Sequence, residues 1–234
     1  MKAKLHTNWR TYTKLREQGQ RCLDFKTDKN RYICALYARI DSLAEETLKL
    51  LKGNSGTGAP VLLRSAYEAY VDLVCIAKDE DHVEDMKLRF YSQEKRFYKN
   101  YSSDNHYMAN VTEEEARRKV EHFEGLLKNK SPLNLRDKFK KAGELKEYYT
   151  VYHVLSGSSH ASIESIAEFF SENREVLFGR SVDDGLYNFY CLSAINLACA
   201  ALMYTLDSQN TGEQLVNELR ENIQRAMKTA EATV

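Results

Sequence analysis

Apolar residues return every three or four positions along nearly the whole chain, and only two prolines, Pro60 and Pro132, interrupt them. That spacing is the mark of helices that each bury one face. Few segments alternate with the period of two that a half-buried strand needs. The sequence therefore predicts an all-α fold, a single helical bundle of about eight or nine helices over residues 1–234. No repeat, low-complexity tract or long linker divides it.

The helices can be placed from their stop and start signals. The first is expected near 3–24. A second begins after Thr27-Asp28, buries Ile33, Leu36, Tyr37, Ile40, Leu43, Ala44, Thr47, Leu48 and Leu51, and ends at the Gly53–Gly58 run. Pro60 suits the first turn of a third helix, to about Ala77, because its missing N–H leaves no bond unmade there. Others follow near 82–101, near 113–129 with Thr112 and Glu115 as a capping box, and near 134–142. A helix from about Glu144 to Leu155 should break at Gly157. Ser158 or Ser159 would then cap a new helix to about Phe170. Ser181 with Asp184 opens a long apolar helix, and Thr211 with Gln214 opens the last, about 212–231. Helices 60–77 and 184–207 are expected at the centre.

The long apolar helix raises the question of a membrane. Leu186 to Leu206 carries no charge, a length that can span a bilayer. It also holds Asn188, Ser193, Asn196, Thr205 and many small residues, so the expectation is a buried central helix and no membrane. Lys+Arg and Asp+Glu are equal at 34 each. That balance argues against sequence-independent coating of nucleic acid but permits a local phosphate site. The five cysteines show no C-x-x-C pair, and Met1 to His6 lack an apolar signal core, so a reducing cytoplasm is expected.

Two polar motifs stand in this apolar background. The first is Arg64-Ser65-Ala66-Tyr67-Glu68, with Arg64, Glu68 and Asp72 at i, i+4 and i+8 on one helical stripe. One reading is a structural ion pair with Asp72 near the surface. The other is an arginine facing a pocket, its carboxylate neighbour fixing the guanidinium for phosphate or carboxylate. The second motif runs from Tyr152 to His160. With Ser159 as cap, His160 would occupy the first turn of a helix, where exposed N–H groups favour an anion and a neutral imidazole. Ser156, Ser158 and Ser159 add hydroxyls. The bland alternative is a helical corner with capping serines.

Other patterns carry less. A metal at His153 and His160 would need a third ligand such as Glu68 or Glu164, and no H-E-x-x-H is present, so no metal or cofactor is expected. The Gly53–Gly58 run lacks the Gly-Lys-Ser/Thr of a phosphate loop. Arg117 and His122 lie five positions apart on a charged helix and diverge. Tyr91, Tyr98 and Tyr101 interleave with Lys95, Arg96 and Lys99, as on a base-stacking surface, but an ordinary amphipathic helix has the same pattern.

The stretches Leu62 to Leu73 and Tyr152 to Ser162 together resemble an uncharacterised bacterial family, a domain of unknown function. Its members carry L-R-S-x-x-E on one helix and end a later one with Y-x-x-L-S-x-x-x-H. The resemblance covers roughly residues 30–206. That family in turn resembles the HEPN superfamily of helical nucleases and RNA-binding domains, which includes toxins and antiphage effectors. The likeness implies a HEPN-like core, RNA as partner, a homodimer and metal-independent cleavage. His160 matches the HEPN histidine. The HEPN arginine lies five to seven positions earlier, where this chain has Leu155, Val154 and His153, so Arg64 would have to replace it in space. On this reading His160, Arg64 and Glu68 are catalytic, and Ser156, Ser159, His153 and Tyr67 hold the substrate. The competing reading is a non-catalytic module for a protein partner, with Arg64, Glu68 and His160 as a buried network fixing helix register. A third is a tyrosine-lined small-molecule pocket.

Overall fold

In the computed structural model, the described residues are 2–53, 56–160, 163–167, 169–170, 176 and 182–231. Their regular structure is helical: α1 (Lys2–Gln20), α2 (Asp28–Lys52), α3 (Ala59–Lys78), α4 (His82–Lys99), α5 (Glu113–Leu127), α6 (Leu135–Ala142), α7 (Leu145–Tyr149), α8 (Val151–Ser159), α9 (Ile163–Ala167), α10 (Asp184–Ser208) and α11 (Glu213–Glu231). Among the described residues the only β feature is an isolated bridge between Phe170 and Val176. The chain is an all-α helical bundle.

Local chemistry explains most boundaries. The Thr27 and Thr112 side chains accept from the Asn30 and Glu115 amides at 3.1 and 3.2 Å, each satisfying a donor that the helix start leaves open. Pro60 sits in the first turn of α3. Asp183 caps α10 by accepting from the Leu186 amide. Ser181, expected in that role, lies outside the described residues. Thr211 does not cap α11. Gly212, at φ +66°, makes the turn into that helix, and the Thr211 hydroxyl is buried.

α3 and α10 form the centre, packed on each other and both on α2. α1 and α11 cover α10, while α6 and α8 cover α3. α10 is long and apolar enough to cross a membrane, but 67% of its most apolar window is buried in the bundle. It is apolar all round because helices surround it. Cys75, Cys191 and Cys199 are buried in this core as small apolar side chains. α1 is tied to α2 by Tyr12, which donates to Asp41 at 2.5 Å, and by Arg16, which bridges Asp41 and Glu45 at 3.1 and 3.0 Å. α4 and α5 pair as a hairpin in which Phe123 lies against the rings of Tyr91 and Tyr98. Those tyrosines are thus engaged in packing. Arg117 pairs with Glu121 on the exposed face of α5.

The chain breaks where the serine-rich motif does not. α7 ends and α8 begins at Thr150, with φ −115° and ψ −92°. The Thr150 hydroxyl donates to the Lys146 carbonyl at 2.8 Å, across the end of α7. Gly157 stays inside α8 on an exposed face, with φ outside the left-handed region and, among the described residues, open space at its missing Cβ. Neither Ser158 nor Ser159 caps a following helix. His160 is therefore the C-cap of α8, extended at φ −106° and ψ 157°, and not a first-turn residue.

Candidate functional site

The polar stripe of α3 faces α8 over its first half and α6 with α4 over its second. Arg64 is the hub of the first half. Its Nε donates to the Tyr152 hydroxyl at 3.0 Å and lies 3.3 Å from Glu68 Oε1. Tyr152 in turn donates to Glu68 Oε1 at 2.7 Å. The guanidinium lies 5.6 Å from the centre of the Tyr152 ring. Arg64 Nη1 is 2.7 Å from His160 Nε2. A guanidinium has no acceptor, so Arg64 donates and Nε2 carries the lone pair.

Tyr152 is positioned by packing. Its ring stacks on Tyr148 at 5.7 Å and leans on Phe139 at 5.2 Å. Burial, together with its bond to Glu68, pushes the phenol up to about 12. It stays a neutral donor at physiological pH. Burial works against the Arg64 charge, but Tyr152 and Glu68 outweigh it and hold the guanidinium above its ordinary value. The cluster opens to solvent: the Arg64 and Glu68 side chains are 26% and 40% exposed, and His160 is exposed. Among the described residues Arg64 Nη2 has no hydrogen-bond partner, which leaves one edge of the fork available.

The residues expected to hold substrate are divided. Ser156 is half-buried and His153 exposed on α8, in the helix that delivers His160. The Ser159 hydroxyl donates to the Leu155 carbonyl at 2.6 Å, so its proton is already used. Tyr67 is turned inward. Its side chain is buried and its hydroxyl bonds to Ser193 of α10, because its position on α3 points toward the core. Burial, with the nearby Glu147 and Glu144, pushes that phenol up.

The second half of the stripe is enclosed. Asp72 was expected near the surface and is only 5% exposed. Lys138 reaches both of its oxygens at 2.8 and 2.9 Å, His82 Nε2 lies 2.9 Å from Oδ1, and Arg89 donates to Oδ2 at 3.2 Å. Burial alone would raise the carboxyl, but His82, Lys138 and Arg89 together hold it at about 2. A lone buried carboxylate is costly, and these partners are the compensation. Lys138 belongs to neither polar motif, but its place shows in the pattern: Leu135, Lys138, Phe139 and Ala142 share one helical face at i, i+3, i+4 and i+7. Tyr152 was within the noted motif but was not assigned a role.

No group of three or more His, Cys, Asp or Glu side chains converges as a metal site among the described residues. The cluster can bind an anion and, at one imidazole nitrogen, take a proton. No curated protein and no solved structure matches the chain significantly. Residues 30–176, more than half of the chain and including both motifs, match the model described as Family of unknown function (DUF5677), and the chain belongs to this family.

Proposed function

We propose that the Arg64–His160 pair is the reactive centre of a metal-independent, HEPN-like endoribonuclease of bacterial defence or toxin systems, acting in the cytoplasm. The observation that carries this reading is the 2.7 Å contact between Arg64 Nη1 and His160 Nε2 at a solvent-open edge. It supplies in space the arginine that the chain lacks beside its histidine. The pair is complete within one chain, so dimerisation would serve to extend the RNA surface.

An RNA phosphate takes the outer edge of the Arg64 fork and draws the guanidinium from Nε2. His160 Nε2 then accepts the proton of the ribose 2′-hydroxyl. The 2′-oxygen bonds to phosphorus, the bond to the 5′-oxygen breaks, that oxygen takes a proton from water, and His160 returns its proton to the hydroxide left behind. The products are a 2′,3′-cyclic phosphate and a 5′-hydroxyl. Arg64 stabilises the charge that builds on the phosphorane. Glu68 and Tyr152 fix its orientation, and Ser156 lines the approach. Placing His160 at a C-cap removes the helix N-terminus from this scheme, so Arg64 alone carries the anion.

The enclosed network that an interaction module needs lies about two turns further along α3, around Asp72, and not at Arg64. This supports the RNA reading over the module. Incubating metal-free protein with mixed total RNA and transfer RNA tests it: cleavage should appear and end in cyclic phosphates.

A further inference from the structure

A second concavity is built from faces that the Arg64 centre does not use. On α1, His6 and Arg10 lie one turn apart. On α2, Glu45, Lys49 and Lys52 repeat at i, i+4 and i+7. With Trp9 these side chains line a cleft of about 580 Å³, within the usual range for small-molecule sites. Trp9 is half-buried and lies 4.9 Å from the Tyr12 ring, so one aromatic wall of the cleft is held by packing.

The cleft's charge is one-sided. Glu45 is its only acid, and it is engaged by Lys49 at 2.8 Å and Arg16 at 3.0 Å. Among the described residues Arg10 and Lys52 have no acidic partner. His6 Nε2 faces the Tyr187 hydroxyl at 3.1 Å. In a chain with net charge +0, an indole and two cations without acidic partners in one cleft favour a ligand both flat and anionic.

We propose that this cleft binds a mononucleotide, with its base against Trp9 and its phosphate between Arg10 and Lys52. The site is independent of the RNA reading, since none of these residues touches Arg64 or His160 among the described contacts.

Trp9 is the single tryptophan of the chain, so its fluorescence reports the cleft directly. The full chain should show a saturable change with AMP or ATP. Affinity should fall at least about tenfold in the Arg10→Ala/Lys52→Ala double variant, whose exposed substitutions leave the circular dichroism unchanged. His160→Ala should bind as the unaltered chain does, and Trp9→Phe should retain nucleotide in equilibrium dialysis with weaker affinity. Inorganic phosphate should not saturate over the same range. The proposal is overturned if neither nucleotide binds by fluorescence or dialysis, or if the double variant binds undiminished. It is also overturned if phosphate alone reproduces the effect, or if only a single-stranded RNA oligomer binds.

Discussion

Arg64 Nη1 and His160 Nε2 lie 2.7 Å apart although 96 positions separate them in the chain. The contact joins the two polar motifs: a guanidinium can only donate, so the imidazole nitrogen accepts. Adding a proton at Nε2 would replace the acceptor with a second donor and break the contact.

If Arg64 stabilises the phosphorane, Arg64→Ala should lower RNA cleavage by about 10²–10³-fold. Arg64→Lys should restore little, because an ammonium cannot bond Tyr152, His160 and a phosphate in one plane. Single-turnover rates on a defined RNA check this. A lysine variant with near-normal rates would reduce Arg64 to a point charge.

Tyr152→Phe removes the donor to Glu68 and one acceptor from Arg64 while keeping the ring stack. A loss of roughly 1 kcal/mol in stability is expected, with a slower chemical step and little change in RNA affinity. Urea unfolding and a comparison of kcat with KM separate the two effects. An unchanged kcat would show that Arg64 needs no help from the phenol.

Gly157 offers a direct test of where the helix runs. It lies inside α8 with nothing near its missing Cβ among the described residues. Gly157→Ala should therefore stabilise the protein by about 0.5–1 kcal/mol. A destabilised variant would mean that the chain turns at Gly157 after all.

Asp72 should govern acid stability. Its carboxyl is depressed to about 2 in the folded chain, against roughly 3.9 when unfolded. The stabilisation is fully present above the unfolded value and is lost as pH falls through the folded one. It amounts to about 2–3 kcal/mol at neutral pH. Asp72→Asn should flatten the stability profile between about pH 4 and pH 2. Lys138→Met should be worse, by roughly 3 kcal/mol, because it strands part of a buried charge. Chemical denaturation across that pH range reads both.

What the sequence made legible was whatever neighbouring residues decide. Thr112 with Glu115, and Pro60 at the start of α3, are local signals, and each falls where the spacing put it. The i, i+4, i+8 stripe of Arg64, Glu68 and Asp72 was readable for the same reason. Its environment was not. Asp72 is buried because Lys138 arrives from 66 positions away, and no local pattern announces that partner. Gly157 misled because glycine favours helix ends but is tolerated on an exposed helical face. The helix breaks instead at Thr150, whose backbone leaves the helical region. Placing His160 at a C-cap followed from that one shift.

The most direct test of the central claim is RNA cleavage by purified, metal-free protein beside folded Arg64→Ala and His160→Ala variants. The account predicts 2′,3′-cyclic phosphate ends from the unaltered chain and loss of cleavage in both variants. Cleavage that survives in His160→Ala, or no cleavage by the unaltered chain, would contradict it.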